Sequence, residues 1–239
     1  MKRAAFAVIL AAAAHAQPRP EFEVVSIKLG DPTDPASSGR TTPTRLEMRN
    51  TTLNTLVRSA YHLNEYQLEG GPKWMGSTKF NVDAKFPAGV PREQTPLMMQ
   101  SMLADRFKLE FHRVTKSLPE YELVLAKSGP KLTAADPNDP RAGSSSQGPR
   151  QIKATAQPIS TLARMLESAV GAPVIDRGGL EGKYTFSLAF ASLFGTPAED
   201  EKLPTIFTVL QQELGLKLES IRGPVEVMVI DRAEMPSEN

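Results

Sequence analysis

The sequence predicts an α+β fold, a tandem duplication of a βαββαβ-type unit. Each unit is expected to be a small, mainly antiparallel sheet covered by two helices. Three observations predict it. Residues 22–28 (FEVVSIK) and 79–86 (KFNVDAKF) alternate apolar and polar side chains, the period of a half-buried strand. Leu53, Leu56, Val57, Ala60 and Tyr61 recur at helical spacing, as do Ile159, Leu162, Ala163, Leu166 and Val170. The two halves then repeat one order of elements, and a sheet with both helices on one face buries both apolar stripes.

The chain has 239 residues, enough for one large domain or two small ones. Its 28 basic and 27 acidic residues leave a net charge of +1, which gives no basis for a nucleic-acid or polyanion partner. There is no cysteine, hence no disulfide framework, lipoprotein attachment site or thiolate metal site. Lys2 and Arg3, an apolar run over residues 4–14 and the small-x-small Ala14-His15-Ala16 form a signal-peptide pattern. Cleavage would leave Gln17 first and deliver the chain to the periplasm or cell exterior. The apolar run is shorter than the ~20 residues of a membrane span, and no second long run follows, so the mature chain is expected to have no span.

In order, residues 22–28 are the first strand. Residues 29–43 are a loop, broken by Gly30, Asp31-Pro32, Asp34-Pro35 and Thr42-Pro43. Residues 46–49 form a short strand, and Asn50 or Thr51 caps the first helix. Residues 66–69 are a strand, Gly70-Gly71-Pro72 a turn, and residues 79–86 the best-defined strand of this half. Residues 93–106 are the second helix, with Pro96 confined to its first turn. Residues 107–115 and 121–127 then read as a hairpin. Residues 128–150 (SGP, DPNDP, GSSSQGP) read as a linker.

The second half restates this. Residues 151–156 are a strand, Pro158 opens a helix and Gly171 stops it in a left-handed conformation. Residues 173–176 and 184–190 are strands on either side of the Arg177-Gly178-Gly179 turn. Pro204 opens the last helix, with Phe207, Leu210 and Leu214 apolar, and Gly215 closes it. Residues 216–221 and 225–230 make a final hairpin around Arg222-Gly223-Pro224. Leu53, Leu56 and Phe80-Asn81-Val82 meet Ile159, Leu162 and Phe186-Ser187-Leu188 at an offset of 106. The expected organisation is a signal peptide (1–16), an N-terminal unit (17–127), a linker (128–150) and a C-terminal unit (151–239).

Gly179-Leu180-Glu181-Gly182-Lys183, Leu214-Gly215-Leu216 and residues 225–230 carry a pattern that resembles the short N-terminal domains of secretins and TonB. That resemblance implies a docking or signalling module. A second resemblance covers nearly the whole mature chain. It is carried by residues 22–28, Gly70-Gly71-Pro72 with Trp74, Asp105-Arg106-Phe107-Lys108-Leu109, Gly129-Pro130-Lys131-Leu132, residues 214–219 (LGLKLE), Gly223-Pro224-Val225-Glu226, Ile230-Asp231 and Pro236-Ser237-Glu238-Asn239. The chain is similar there to a soil-associated family of exported acidobacterial proteins, a domain of unknown function. The resemblance implies export and the duplicated architecture, and it supplies no catalytic residues. Relatives are also attached to antirepressor-type membrane metallopeptidases, which implies a sensor role with a membrane partner.

Chemistry-bearing patterns are sparse. His62 and Glu65 make H-x-x-E at a helix end, and a metal site needs three or four convergent ligands. His112 is expected on a solvent face. No G-x-S-x-G elbow, Walker motif or G-x-G-x-x-G is present, so Gly70-Gly71 and Gly178-Gly179 read as turns. Asp83, Asp176 and Asp231 are the carboxylates that could do acid–base work if they converged. Trp74, the only tryptophan, with Tyr61 and Tyr66 could form an aromatic platform, against the alternative of core packing. The expectation is a non-enzymatic binding module of the envelope or exterior, with an envelope protein as partner and no cofactor, metal or nucleic acid. The inter-unit cleft and exposed sheet edges are its expected surfaces. The alternatives are a carboxylate-dependent hydrolase at the cleft and an extracytoplasmic sensor.

Overall fold

The computed structural model describes residues 19–136, 138–193 and 203–237. The expected signal peptide lies outside the described residues. The strands are β1 (Val24–Leu29), β2 (Ser38–Thr41), β3 (Arg45–Thr52), β4 (Leu68–Gly70), β5 (Lys79–Lys85), β6 (Glu110–Leu125), β7 (Thr133–Ala134), β8 (Ser145–Gly148), β9 (Gln151–Gln157), β10 (Val174–Asp176), β11 (Tyr184–Ala189) and β12 (Leu216–Arg232). The helices are α1 (Leu53–Tyr61), α2 (Trp74–Ser77), α3 (Thr95–Phe107), α4 (Ile159–Val170) and α5 (Ile206–Val209), which runs on as a π-helical stretch, Leu210–Leu214. The chain is α+β, as its patterning predicts. Among the described residues no helix is long and apolar enough to cross a membrane.

Among the described residues three four-stranded sheets form. The first, in the order β1-β5-β3-β2, is antiparallel throughout. Its inner face gives Ile27, Leu46, Phe80, Val82 and Ala84 to a core that α1 and α3 close with Leu53, Leu56, Val57, Met98, Leu103 and Phe107. The register of β3 shifts at Asn50, which takes a left-handed φ of 49° that asparagine tolerates. The Asn50 amide donates to Asn81 Oδ1 at 3.0 Å, and its side-chain oxygen accepts from the Asp31 amide at 2.9 Å. Because β3 runs on to Thr52, the cap of α1 is Thr52, whose side chain accepts from the Thr55 amide at 3.3 Å, rather than Asn50 or Thr51.

The third sheet, in the order β7-β11-β9-β8, packs under α4 and α5 around Ile152, Ile159, Leu162, Leu166, Phe186, Leu188 and Leu210. The segment read as a linker supplies both edge strands, β7 on β11 and β8 on β9. The Lys131 amide also donates to the Leu214 carbonyl at 2.9 Å. Serine, threonine and glycine give no apolar alternation there, and backbone pairing with neighbours defines those strands.

The middle sheet departs most from the sequence reading. The two expected hairpins are not formed. β6 and β12 stay extended and pair antiparallel along their whole lengths, from Leu125↔Leu216 to Glu110↔Arg232. The turn signal at Arg222-Gly223-Pro224 has another cause. Gly223 is buried and has no positive φ, and a Cβ there would overlap the Glu120 carboxylate across the ribbon. The glycine serves close approach rather than reversal.

The ribbon knits the halves together. Met228 and Ile230, late in the chain, belong to the first core, and Leu123 belongs to the second. Its two ends are built alike. β4 joins β12 in parallel (Leu68↔Met228), and β10 joins β6 in parallel (Val174↔Tyr121). Leu68 and Val174 are themselves 106 residues apart.

Candidate functional site

Between the two cores the C-terminal ends of α1 and α4 face each other across a cleft of about 660 Å³. Thr55, Arg58 and Ser59 line it from α1, Leu63 to Tyr66 from the turn that follows, and Glu167, Ser168 and Gly171 from α4. Both walls end in left-handed caps. On one side His62 (φ 53°) stops α1, and the Leu63 amide returns to the Arg58 carbonyl at 2.9 Å. On the other, Gly171 (φ 67°) returns its amide to the Glu167 carbonyl at 2.8 Å, the stop its sequence position predicts.

After His62 the chain makes a 3₁₀ turn, Glu65–Gln67, pinned where the Asn64 amide donates to Gln67 Oε1 at 3.1 Å. That turn aims Asn64 and Tyr66 across the cleft. Asn64 Nδ2 donates to Glu167 Oε2 at 2.7 Å and to Tyr66 Oη at 3.0 Å, and the Tyr66 hydroxyl lies 3.4 Å from the same Glu167 oxygen. Both contacts use Oε2. Among the described residues Oε1 of Glu167 has no hydrogen-bond partner, and Glu167 has no cationic one.

The electrostatics follow. Burial, then the Glu167 charge, pushes the Tyr66 phenol up to about 12. It therefore stays protonated and acts as a donor, not as a base or nucleophile. The charge of Glu120, a residue only 6% exposed, pushes in the same direction. Glu167 sits in the last turn of α4, where the helix dipole favours cations over carboxylates. Among the described residues that line the cleft the one cation, Arg58, is committed to Glu65 at 3.2 Å. What remains is a half-buried carboxylate held by neutral donors, with one oxygen open.

Of the three aromatic candidates, Tyr66 alone lines this cleft. Trp74 on α2 packs against the first core with its ring 6.2 Å from that of Phe80, and Tyr61 stacks edge-on against Phe111 at 5.0 Å. The aspartates singled out do not converge. Asp83 pairs with Arg45, Asp231 with His112 Nδ1 at 2.8 Å, and Asp176 accepts from the Gly178 amide at 3.0 Å. His62 is exposed at its helix end, and among the described residues no group of three or more acidic or histidine side chains is placed to hold a metal. Asn64, Glu167 and Glu120 escaped the sequence reading. Glu167 lies on the polar side of an amphipathic helix, where nothing marks it off from a solvated residue.

Residues 54–233 match the family model described as protein of unknown function (DUF3738). The chain belongs to the DUF3738 family. The matched stretch opens inside α1 and closes just past β12, so it takes in the second core, the ribbon and both walls of the cleft, while β1 to β3 of the first sheet precede it. No curated protein and no solved structure matches this chain.

Proposed function

We propose that this DUF3738 protein is an exported, non-enzymatic binding module of the cell envelope or extracellular space, built from two related units. It takes a basic side chain of a protein partner into the cleft between them. One observation carries the reading: Glu167, which lines the cleft, is tied down by Asn64 and Tyr66 on one oxygen while the other has no hydrogen-bond or cationic partner among the described residues. A half-buried carboxylate without a counter-charge is costly, and a lysine or arginine head would repay it. Binding is favoured over carboxylate hydrolysis because the other lining carboxylate, Glu65, has a side chain 91% exposed and is paired with Arg58. Hydrolysis by a carboxylate pair needs both groups aimed at one bond, whereas Glu65 and Glu167 are held by different partners. Export rests on the Lys2-Arg3, apolar and Ala14-His15-Ala16 pattern. N-terminal sequencing of protein recovered outside the cytoplasm is expected to begin at Gln17.

The test of the cleft is an amide NMR titration of the full mature chain with Gly-Arg-Gly, Gly-Gln-Gly and Gly-Glu-Gly. Gly-Arg-Gly is expected to shift residues 63–67 and the end of α4, and Glu167→Gln to abolish that response. An equal response to Gly-Glu-Gly, or none in the cleft, contradicts the reading.

A further inference from the structure

A second site lies on the opposite side of the first core. The outer face of the first sheet carries Val24, Ser26 and Lys28 from β1, Asn81, Asp83 and Lys85 from β5, Arg45, Glu47 and Arg49 from β3, and Arg40 from β2, in register. A hollow of about 410 Å³ is lined by Lys28, Arg45, Arg49 and Lys85 against a single carboxylate, Asp83. Asp83 is neutralised by Arg45, and Lys85 is paired with Glu23 at 2.8 Å. Among the described residues Lys28, Arg40 and Arg49 have no ion-pair partner. The aspartates of the adjoining loop are exposed and hold local turns, Asp31 accepting from the Thr33 amide and Asp34 from the Ala36 amide.

Asn81 sits between Lys28 and Arg49. Its Oδ1 accepts the Asn50 amide at 3.0 Å, which fixes the flip and turns its Nδ2 donor out to the hollow. Lys28, Asn81 and Arg49 thus make a row of donors over three adjacent strands, spanning about 10 Å. Such a row fits successive oxyanions on an extended chain. None of the side chains named on this face is aromatic, so it offers no platform for stacking bases. It presents neither helix nor loop to a duplex groove.

We propose that the outer face of the first sheet binds an acidic glycan, its carboxylates or sulfates lying along Lys28, Asn81 and Arg49. The net charge of +1 hides this: the face sets Lys28, Arg40, Arg45, Arg49 and Lys85 against the carboxylates Glu47 and Asp83, and the chain as a whole is nearly balanced.

The test is calorimetric titration of the full mature chain with a heparin-derived octasaccharide, an octagalacturonate and an eight-nucleotide single strand. At least one glycan is expected to bind, with affinity falling linearly against the logarithm of salt concentration. Arg49→Glu and Lys28→Glu should each weaken it at least tenfold, and Arg49→Gln less, with unchanged thermal melting. Lys127→Glu, at an exposed site beyond the end of β6, should leave binding within twofold. No binding of either glycan, equal loss in Lys127→Glu, or tighter binding of the oligonucleotide would overturn the proposal.

Discussion

The two walls of the cleft differ where the two cores agree. At the offset of 106, buried positions keep their character: Leu53 and Ile159, Leu56 and Leu162, Ala60 and Leu166, Phe80 and Phe186, Val82 and Leu188. For the cleft residues Asn64, Tyr66 and Glu167 the same offset gives Val170, Ala172 and Tyr61, none of which lines the cleft. Packing asks only for apolar volume, which two similar sequences can supply twice. The cleft instead gathers one donor pair from one wall and one carboxylate from the other. The likeness of the cores describes a scaffold, and the unlikeness of the walls marks the working surface.

Each core is completed by residues from the other half of the chain. Leu123→Ala removes a fully buried side chain that β6 delivers to the second core. It should cost about 2–5 kcal/mol. Hydrogen exchange should accelerate in α4 and β9 more than in β1 and β5. Faster exchange confined to the N-terminal half would break the comparison.

Gly223→Ala comes next, at about 1–3 kcal/mol, because its Cβ meets the Glu120 carboxylate. Adding Glu120→Ala should recover much of that loss in denaturant melts. A turn glycine with positive φ would give no such rescue.

Tyr66 sharpens the electrostatic side. Absorbance titration should find one tyrosine ionising near pH 12, and Glu167→Gln should move it part of the way back towards 10. Its folded value is raised, so its contribution is complete below pH 10, the unfolded value, and is lost as pH rises through about 12. The group is half-buried, so the resulting fall in stability should be modest.

The smallest effect is expected at the exposed Arg45–Asp83 pair on the first sheet. Asp83→Asn should change stability by no more than about 1 kcal/mol, while strengthening acidic-glycan binding.

Much of the scaffold was legible because helices announce themselves locally. The stripes of α1 and α4 and the closing glycines Gly171 and Gly215, both left-handed in the fold, lie where spacing puts them. The ribbon was not legible. Arg222-Gly223-Pro224 reads identically whether glycine permits a reversal or makes room for Glu120. Strands β7 and β8 were hidden for a related reason, since edge strands poor in apolar residues are defined by partners distant in sequence. Of the site, Tyr66 could be singled out as an aromatic near a turn. Glu167 could not, because its meaning depends on Asn64, 103 residues away, reaching across the cleft.

The most direct measurement exploits the absence of cysteine. Thr115 and Glu226 are exposed cross-strand partners on the ribbon, whereas Arg113 and Tyr121 would face each other only if β6 folded back as a hairpin about Ser117. With the long ribbon formed, Thr115→Cys with Glu226→Cys should oxidise rapidly to an intramolecular disulfide in the monomer, and Arg113→Cys with Tyr121→Cys should not. The reverse result would mean that each half closes its own hairpin, and the interlocked cores and the shared cleft would both be wrong.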